Sequence, residues 1–478
     1  MTLSVRRASR EAPDHTALVF GERTWSFAEL AAVVEPMIAR LEERWRGAPA
    51  TLQSPLALVG ASDLPTLVVL YALIELGWPV ALVHPRFTDT ERAALYPLIP
   101  KTRWLDAREL NDVAATTPVR AAAEPLPDDE LCLAILFTSG TTGAPKGVVL
   151  SRRAFVAGAR ASASNLGWRD DDRWLLGLPI AHVGGLSILT RCLIARRAVV
   201  IPRDVAEGRR LTPEALRAAL DELDVSIVSL VPTQLEWLLA SDAAWSAPRS
   251  LRAVLLGGAA ASPRLLERAW ERALPVLTTY GLTEACSQVT TQRAGTVNRG
   301  KLGAGPPIDG VQVDILGGVI RVRGPTLFSG YFPSDAGGRH PDAEGWFETD
   351  DLGRYDANGN LHVLGRRSDL VITGGENVVP SEVEAVVERC PGVRAACVFG
   401  VPDDTWGELV AVAVVPEGAL AALESLQAGL ARHVSEHLSP HRRPRLLRFV
   451  DAFETTPAGK LDRGATARLS GPHLRRFP

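Results

Sequence analysis

Ile135-Leu136-Phe137-Thr138-Ser139-Gly140-Thr141-Thr142-Gly143-Ala144-Pro145-Lys146-Gly147 is the stretch on which the fold of this chain turns. It opens as an apolar run of strand type, passes into hydroxyls and glycines, and reaches a lysine. Glycines let such a loop turn its backbone N–H groups inward, making a concave nest for oxyanions. Thr138, Ser139, Thr141 and Thr142 add hydroxyl donors. Lys146 adds a mobile point charge suited to phosphate. The spacing is not that of a Walker A loop, because two residues rather than four separate Gly140 from Gly143.

Outward from this loop the composition is that of a large globular protein. The 478 residues are 46% hydrophobic, ample for buried cores, and the net charge of −3 gives no electrostatic case for nucleic acid or an anionic membrane. Cys132, Cys192, Cys286, Cys390 and Cys397 form no metal-type spacing, and their odd number suits a reducing cytoplasm. The polar N-terminus carries no signal-peptide core. The longest apolar stretch, Leu64 to Val83, is interrupted by Glu75, Gly77 and Pro79. It reads as a buried helix to Leu76, a turn, and a strand Val80–Val83 rather than as a membrane span. Among 52 basic residues four are lysines: Lys101, Lys146, Lys301 and Lys460. Where arginine serves every generic need, a lysine in a motif marks a need for a compact, flexible ammonium. Lys146 and Lys460 sit in such motifs; Lys101 and Lys301 read as surface residues.

Residues 16–130 alternate strands and helices, the pattern of a mostly parallel sheet. Thr16–Phe20 and Thr24–Ser26 read as a hairpin, Phe27–Glu43 as a helix and Leu56–Gly60 as a buried strand. After the glycine-rich loop, Ser151 is placed to cap a helix through Asn165. The strand beginning at Trp174 leads to His182, followed by Gly184, Gly185 and an expected helix carrying Arg191. The glycines behind His182 would permit close approach of a flat substrate. The buried strand to Leu256 feeds Gly257-Gly258-Ala259-Ala260-Ala261-Ser262, small residues fitting a ligand crevice at strand ends, with Ser262 as a helix cap. From Asn298 to Tyr355, short alternating runs, Gly330–Phe332 among them, read as an antiparallel β-rich subdomain. Beyond residue 368 the pattern becomes α+β. Ser381–Glu384 reads as a capping box opening a helix to about Arg389. Strands are expected at Val393–Val401 and Glu408–Val415, and a helix at Leu420–His437.

The loop Thr138–Lys146 resembles the phosphate loop of the adenylate-forming superfamily of acyl-CoA synthetases, peptide-synthetase adenylation domains and luciferases. Further motifs extend the likeness over nearly the whole chain: Thr278-Thr279-Tyr280-Gly281-Leu282-Thr283-Glu284, Gly345–Gly353, Leu364–Asn377 and Thr455–Arg463. The resemblance implies an α/β fold. A large domain, 1–367, of two mixed or parallel sheets plus a β-barrel-like subdomain would hold ATP and acid. A small mobile α+β domain, 368–478, would carry the catalytic Lys460 and turn about a hinge near Ser368.

By the same resemblance, Ser139, Gly140, Thr141, Thr142, Gly143 and Lys146 would cradle phosphate. Gly257, Gly258, Ala259, Tyr280 and Gly281 would lie against adenine, Thr283 at phosphate, and Glu284 on Mg²⁺, whose hard ligands are typically one or two carboxylates plus substrate phosphates. Asp351 would hold the ribose hydroxyls, with Asp350 the competing choice, and Arg366 would contact nucleotide. Gly374 and Gly375 would let a loop approach the pantetheine arm of CoA. His182 matches the acyl-pocket motif.

The reaction so implied joins a carboxylate to a thiol through an acyl-adenylate, with ATP and CoA as substrates and Mg²⁺ as cofactor. His182–Arg191 and Gly281–Thr291 look most like the branch acting on o-succinylbenzoate in menaquinone biosynthesis. Its aromatic dicarboxylate would need a positive or donating group away from ATP. Arg191 is the candidate, with Ser287 and Gln288 as neutral donors and Gly184 beside them; an exposed Arg191 on an amphipathic helix is the alternative. Another aryl- or fatty-acyl-CoA ligase, an adenylation domain loading a carrier protein, and a non-catalytic nucleotide-binding homologue are the competing functions. Partners are small molecules, with a homodimer left open, and neither nucleic acid nor membrane insertion is expected.

Overall fold

The computed structural model describes residues 2–21, 23–112, 128–138, 146–209, 211–241, 245–295, 300, 302–417, 423–456 and 461–477. The expectations for Ser139, Gly140, Thr141, Thr142, Gly143 and Lys460 fall outside these residues.

Continuous apolar tetrapeptides build the sheets. Val80–Val83, Ile227–Leu230 and Ala253–Leu256 are buried at every position, as parallel strands covered on both faces must be. One sheet of six strands runs in the order Gly330–Phe332, Lys146–Ser151, Cys132–Thr138, Val80–Val83, Leu56–Val59, Trp104–Leu105. A second, of eight, runs Ser287–Thr291, Val276–Leu282, Ala253–Leu256, Ile227–Leu230, Arg173–Leu175, Ala198–Ile201, Thr16–Phe20, Arg23–Ser26. Its central neighbours are parallel and its two edges antiparallel.

The helix Leu64–Leu76 is apolar around its circumference because it lies inside the main core. Asp63 accepts from Thr66 N–H to start it, and Gly77, at φ 66°, ends it in the left-handed region where glycine carries no Cβ penalty. The helices Arg152–Leu166 and Val183–Ala195 pack together and against the Ser287–Thr291 strand. Ser151 and Ser262 cap their helices as expected.

A four-stranded antiparallel sheet follows: Gln312–Leu316, Val319–Arg323, Phe347–Tyr355, Leu361–Arg366. From residue 371 onward a separate six-stranded sheet encloses its own core of Val371, Val378, Val383, Val398, Val412 and Leu430.

Two local readings are corrected. Gly330–Phe332 does not join the antiparallel subdomain: it pairs with Gly147–Val149 at the edge of the six-stranded sheet. Alternation fixes which residues face a core but not which sheet supplies the partner. The Ser381–Glu384 capping box does not form either. The helix Pro380–Val387 starts at the proline, Ser381 is already inside it with its hydroxyl donating to the Leu364 carbonyl, and Glu384 is taken by Arg463 and Val398 N–H. Proline needs no N–H partner at the first helical position, so the side-chain cap is dispensable.

Candidate active site

The carboxyl ends of the two large sheets face each other, and the motif residues gather between them. On the six-stranded sheet, Thr138 and Lys146 are cross-strand partners at the base of the glycine-rich loop. On the eight-stranded sheet, Val276–Leu282 runs into the short helical turn Thr283–Ala285 that presents Glu284.

Tyr331 joins the two. Lys146 Nζ lies 3.4 Å from its ring centroid, and its hydroxyl donates to Glu284 Oε1 at 3.3 Å. Burial, with Glu284 nearby, pushes the Tyr331 hydroxyl well above the usual phenol range, so it stays a donor. Burial pulls the Lys146 ammonium below its ordinary value, against the attraction of Glu284. Lysine and glutamate are thus held on either side of one aromatic ring, an arrangement able to receive a polyphosphate and its cation. Glu284 fits Mg²⁺ as a hard oxygen ligand that leaves most of the coordination to substrate phosphates. Among the described residues no group of three or more His, Cys, Asp and Glu could hold a metal by itself.

The nucleotide-side residues form a second cluster. The Tyr280 hydroxyl donates to Asp351 Oδ2 at 2.7 Å, and Arg366 Nε lies 3.8 Å from Asp351 Oδ1. Burial and the Asp351 charge raise the Tyr280 hydroxyl well above the usual range. Asp350 faces the other way, 3.8 Å from Arg339 and 3.6 Å from Arg367. Gly257 ends the Ala253–Leu256 strand, where a Cβ would come within 2.7 Å of Thr279; Gly258 follows at φ 81° and Ala259 is exposed. Gly281 is obligatory, since any Cβ there would overlap the Ser287 carbonyl.

His182 occupies the N-cap position of the Val183–Ala195 helix and makes no side-chain cap bond to it. Its neighbour, unmarked by the sequence reading, is His84. That residue follows the Val80–Val83 strand, is 4% exposed, and lies with its ring centroid 4.9 Å from that of His182. His84 Nδ1 accepts from Arg86 N–H at 3.1 Å, and burial pulls the ring down to about 4, so it is neutral with its proton on Nε2. The usable signal was a polar residue immediately past a continuous apolar strand, as His84 is past Val80–Val83.

The expectation about glycines near His182 changes in part. Gly185 is needed for the chain's own close approach, because a Cβ there would overlap the Pro179 carbonyl; at Gly184 it would come 3.1 Å from Leu178.

Arg191 is not a surface charge. It is 3% exposed, and no carboxylate pairs with it among the described residues. Its nearest titratable neighbours are Cys192 and Cys286, thiols that burial pushes up, Cys286 to about 12, so that both are neutral. Burial pulls Arg191 itself down to about 10, and its Nη2 has no hydrogen-bond partner. Ser187, one helical turn earlier on the same face, has a buried hydroxyl without a partner. Gln288 donates from Nε2 to Thr291 Oγ1 at 2.8 Å and leaves Oε1 unpartnered, while Ser287 is half-buried with φ 93°.

Farther along, Ser368 lies in the short turn Arg367–Asp369. Gly374 and Gly375, at φ 58° and 84°, form the turn between two short strands, and a Cβ on Gly374 would come within 2.8 Å of the Trp406 ring.

Comparison with known proteins gives the family. Residues 96–332 match the AMP-binding enzyme family, and residues 382–460 match the AMP-binding enzyme C-terminal domain. The 2-succinylbenzoate–CoA ligase of Bacillus licheniformis is 33% identical, over 94% of this chain and 96% of that protein. The chain belongs to the AMP-binding enzyme family.

Within the family, the structure is similar to o-succinylbenzoate CoA synthetase from Bacillus subtilis in complex with the acyl-adenylate intermediate OSB-AMP. The TM-score is 0.85 at 29% identity, covering 100% of this chain and 99% of the other. The same enzyme with ATP and magnesium gives 0.83 at 29% identity, covering 97% and 98%.

Proposed function

We propose that this chain is an AMP-forming acid–thiol ligase that joins o-succinylbenzoate to CoA, working in the cytoplasm. The observation that carries the substrate assignment is Arg191. A buried cation without an anion is unstable in an apo protein. It becomes an asset when the ligand brings the missing carboxylate, as a dicarboxylic acid does after one carboxylate is spent on adenylation. The names of the relatives point to the same acid.

In the first step an oxygen of the succinyl carboxylate attacks the α-phosphorus of ATP. The bond to the bridging oxygen breaks, and pyrophosphate leaves. This step gathers anionic groups, so catalysis is mostly positioning and charge stabilisation. Lys146 and the loop Thr138–Gly143 receive the pyrophosphate end, Thr283 meets phosphate, and Glu284 holds Mg²⁺. When bound, the ion neutralises charge on the phosphate oxygens. Tyr280 and Gly257–Ala259 flank adenine, and Asp351 and Arg366 hold the ribose side. His182 and Gly184 border the acyl chain, while Arg191, Ser287 and Gln288 receive the second carboxylate. Lys460 bridges the reacting carboxylate and the α-phosphate. In the second step the CoA sulfur attacks the acyl carbon, the carbon–oxygen bond to phosphate breaks, and AMP leaves as the thiol proton is released. For this the unit from Ser368 onward turns about Ser368, bringing Gly374 and Gly375 to the pantetheine arm.

The test is pyrophosphate release with MgATP and o-succinylbenzoate, against benzoate, a medium-chain fatty acid and no acid, with and without CoA. At low acid concentration, release restricted to o-succinylbenzoate, with a CoA thioester as product, is expected. Release with another acid alone would keep the two-step chemistry and discard the substrate.

A further inference from the structure

Arg264 lies outside every motif of the proposed site, in the first turn of the helix Pro263–Glu271. That helix begins directly after the Gly257–Ser262 turn assigned above to adenine, with Ser262 Oγ accepting from Leu265 N–H. The Arg264 side chain reaches out of the large unit to the far one. Nη1 donates to the Val393 carbonyl at 2.9 Å, and Nη2 pairs with Glu417. Both acceptors belong to one end of the longest ladder of the small unit. Val393 and Pro416 are cross-strand partners there, and Glu417 N–H donates to the Gly392 carbonyl at 2.8 Å. The guanidinium fork therefore closes over the end of that ladder with two acceptors at once, a geometry lysine could not reproduce.

We propose that Arg264 is a positioning residue for adenylation, a clasp that holds the small unit in the orientation seen here. The inference rests on the two-step reading given above and says which side chain sets its first orientation. A hydrogen bond of this kind is gone once donor and acceptor separate by little more than half an ångström beyond 2.9 Å. Any turn about Ser368 that shifts the start of the Val393–Asp403 strand must break it. The clasp thus stabilises one orientation and not another, which is the condition for biasing an equilibrium between them. Its root, two residues after Ser262, ties the bias to the turn that meets adenine.

Two readouts test it. In the first, donor and acceptor dyes are placed on Glu222→Cys and Ser425→Cys, both exposed positions, the five native thiols being buried. Single-molecule energy transfer then reports the relative orientation of the two units and needs no acid, so it is independent of the substrate assignment. Arg264→Ala and Glu417→Gln should each move molecules out of the dominant distance population, about tenfold for Arg264→Ala, the scale expected for one charged hydrogen bond plus one half-exposed ion pair. In the second, Arg264→Ala should slow acyl-adenylate formation by a similar factor. Thioester formation from preformed adenylate should be unchanged or faster, and the swap Arg264→Glu with Glu417→Arg should recover part of the loss. Unchanged distance populations in both variants, or equal loss in both half-reactions, would overturn the clasp. Absence of adenylation in the unaltered chain with every acid would overturn the functional reading and leave the distance result standing.

Discussion

Replacing Arg191 with methionine separates a functional buried charge from a structural one. Burial lowers the guanidinium from 12.5 to about 10, which corresponds to about 3 kcal/mol by which folding disfavours the cation. Because the folded value is the lower one, the penalty is fully present below pH 10 and so throughout the neutral range. Methionine fills a similar volume without a charge. It forfeits the contact with the Trp174 ring, whose centroid lies 5.6 Å from the guanidinium carbon, worth roughly 0.5–2 kcal/mol. The free protein should therefore gain about 1–2 kcal/mol, a rise of a few degrees in a thermal melt. Activity should move the other way. A dicarboxylate bound beside methionine buries an unpaired anion, which costs roughly 3–4 kcal/mol, or a hundredfold to a thousandfold in kcat/KM for o-succinylbenzoate. Pyrophosphate release driven by high concentrations of a monocarboxylic aryl acid should be untouched or improved. Calorimetry and the pyrophosphate assay on the same preparation decide the matter. A variant that melts lower and loses activity equally with both kinds of acid would show Arg191 to be a packing residue and would refute the reasoning.

The two adjacent aspartates separate by nucleotide affinity: Asp351→Asn should raise the KM for ATP about tenfold, while Asp350→Asn, which faces Arg339 and Arg367, should change it less than twofold. Tyr331→Phe keeps the ring under Lys146 but removes the hydroxyl from Glu284. It should shift the Mg²⁺ dependence of adenylation several-fold with little change in the KM for acid, read by magnesium titration at saturating ATP. Ser368→Pro should spare adenylate formation relative to thioester formation, measured by rapid quench; equal loss in both would remove Ser368 from the hinge. Burial, aided by Glu384, raises the Glu388 carboxyl to about 7, against Ala396 N–H and Arg264. With its folded value above the ordinary one, its stabilising neutral form is fully present below about pH 4.5 and is lost as pH rises through 7. Glu388→Gln, which keeps the acceptor for Ala396, should thus stabilise by roughly 2–3 kcal/mol at pH 8 and by almost nothing at pH 4.5, seen in urea melts at the two values.

Local chemistry made much of this protein legible as a sequence. Continuous apolar tetrapeptides such as Val80–Val83 and Ala253–Leu256, bounded by turn residues, read as buried strands and are found so. Ser151 and Ser262 mark helix starts because the bonds they make reach only three residues along the chain. Glu284, Tyr280, Lys146 and His182 stood out through the runs of neighbours around them, which are local features of the chain. What the sequence could not give are relations between segments far apart. Gly330–Phe332 has the same alternation whichever sheet it joins, and only its pairing with Gly147–Val149 puts Tyr331 between Lys146 and Glu284. The capping-box pattern at Ser381 was overridden because Glu384 meets Arg463, 79 residues away. His84 and His182 become neighbours only when two sheets bring their carboxyl ends together. Arg191 reads in one dimension as any arginine on a helix. Its burial, and the lack of a carboxylate paired with it among the described residues, depend on what two helices and a strand pack against it, and side-chain chemistry along one segment carries no information about that.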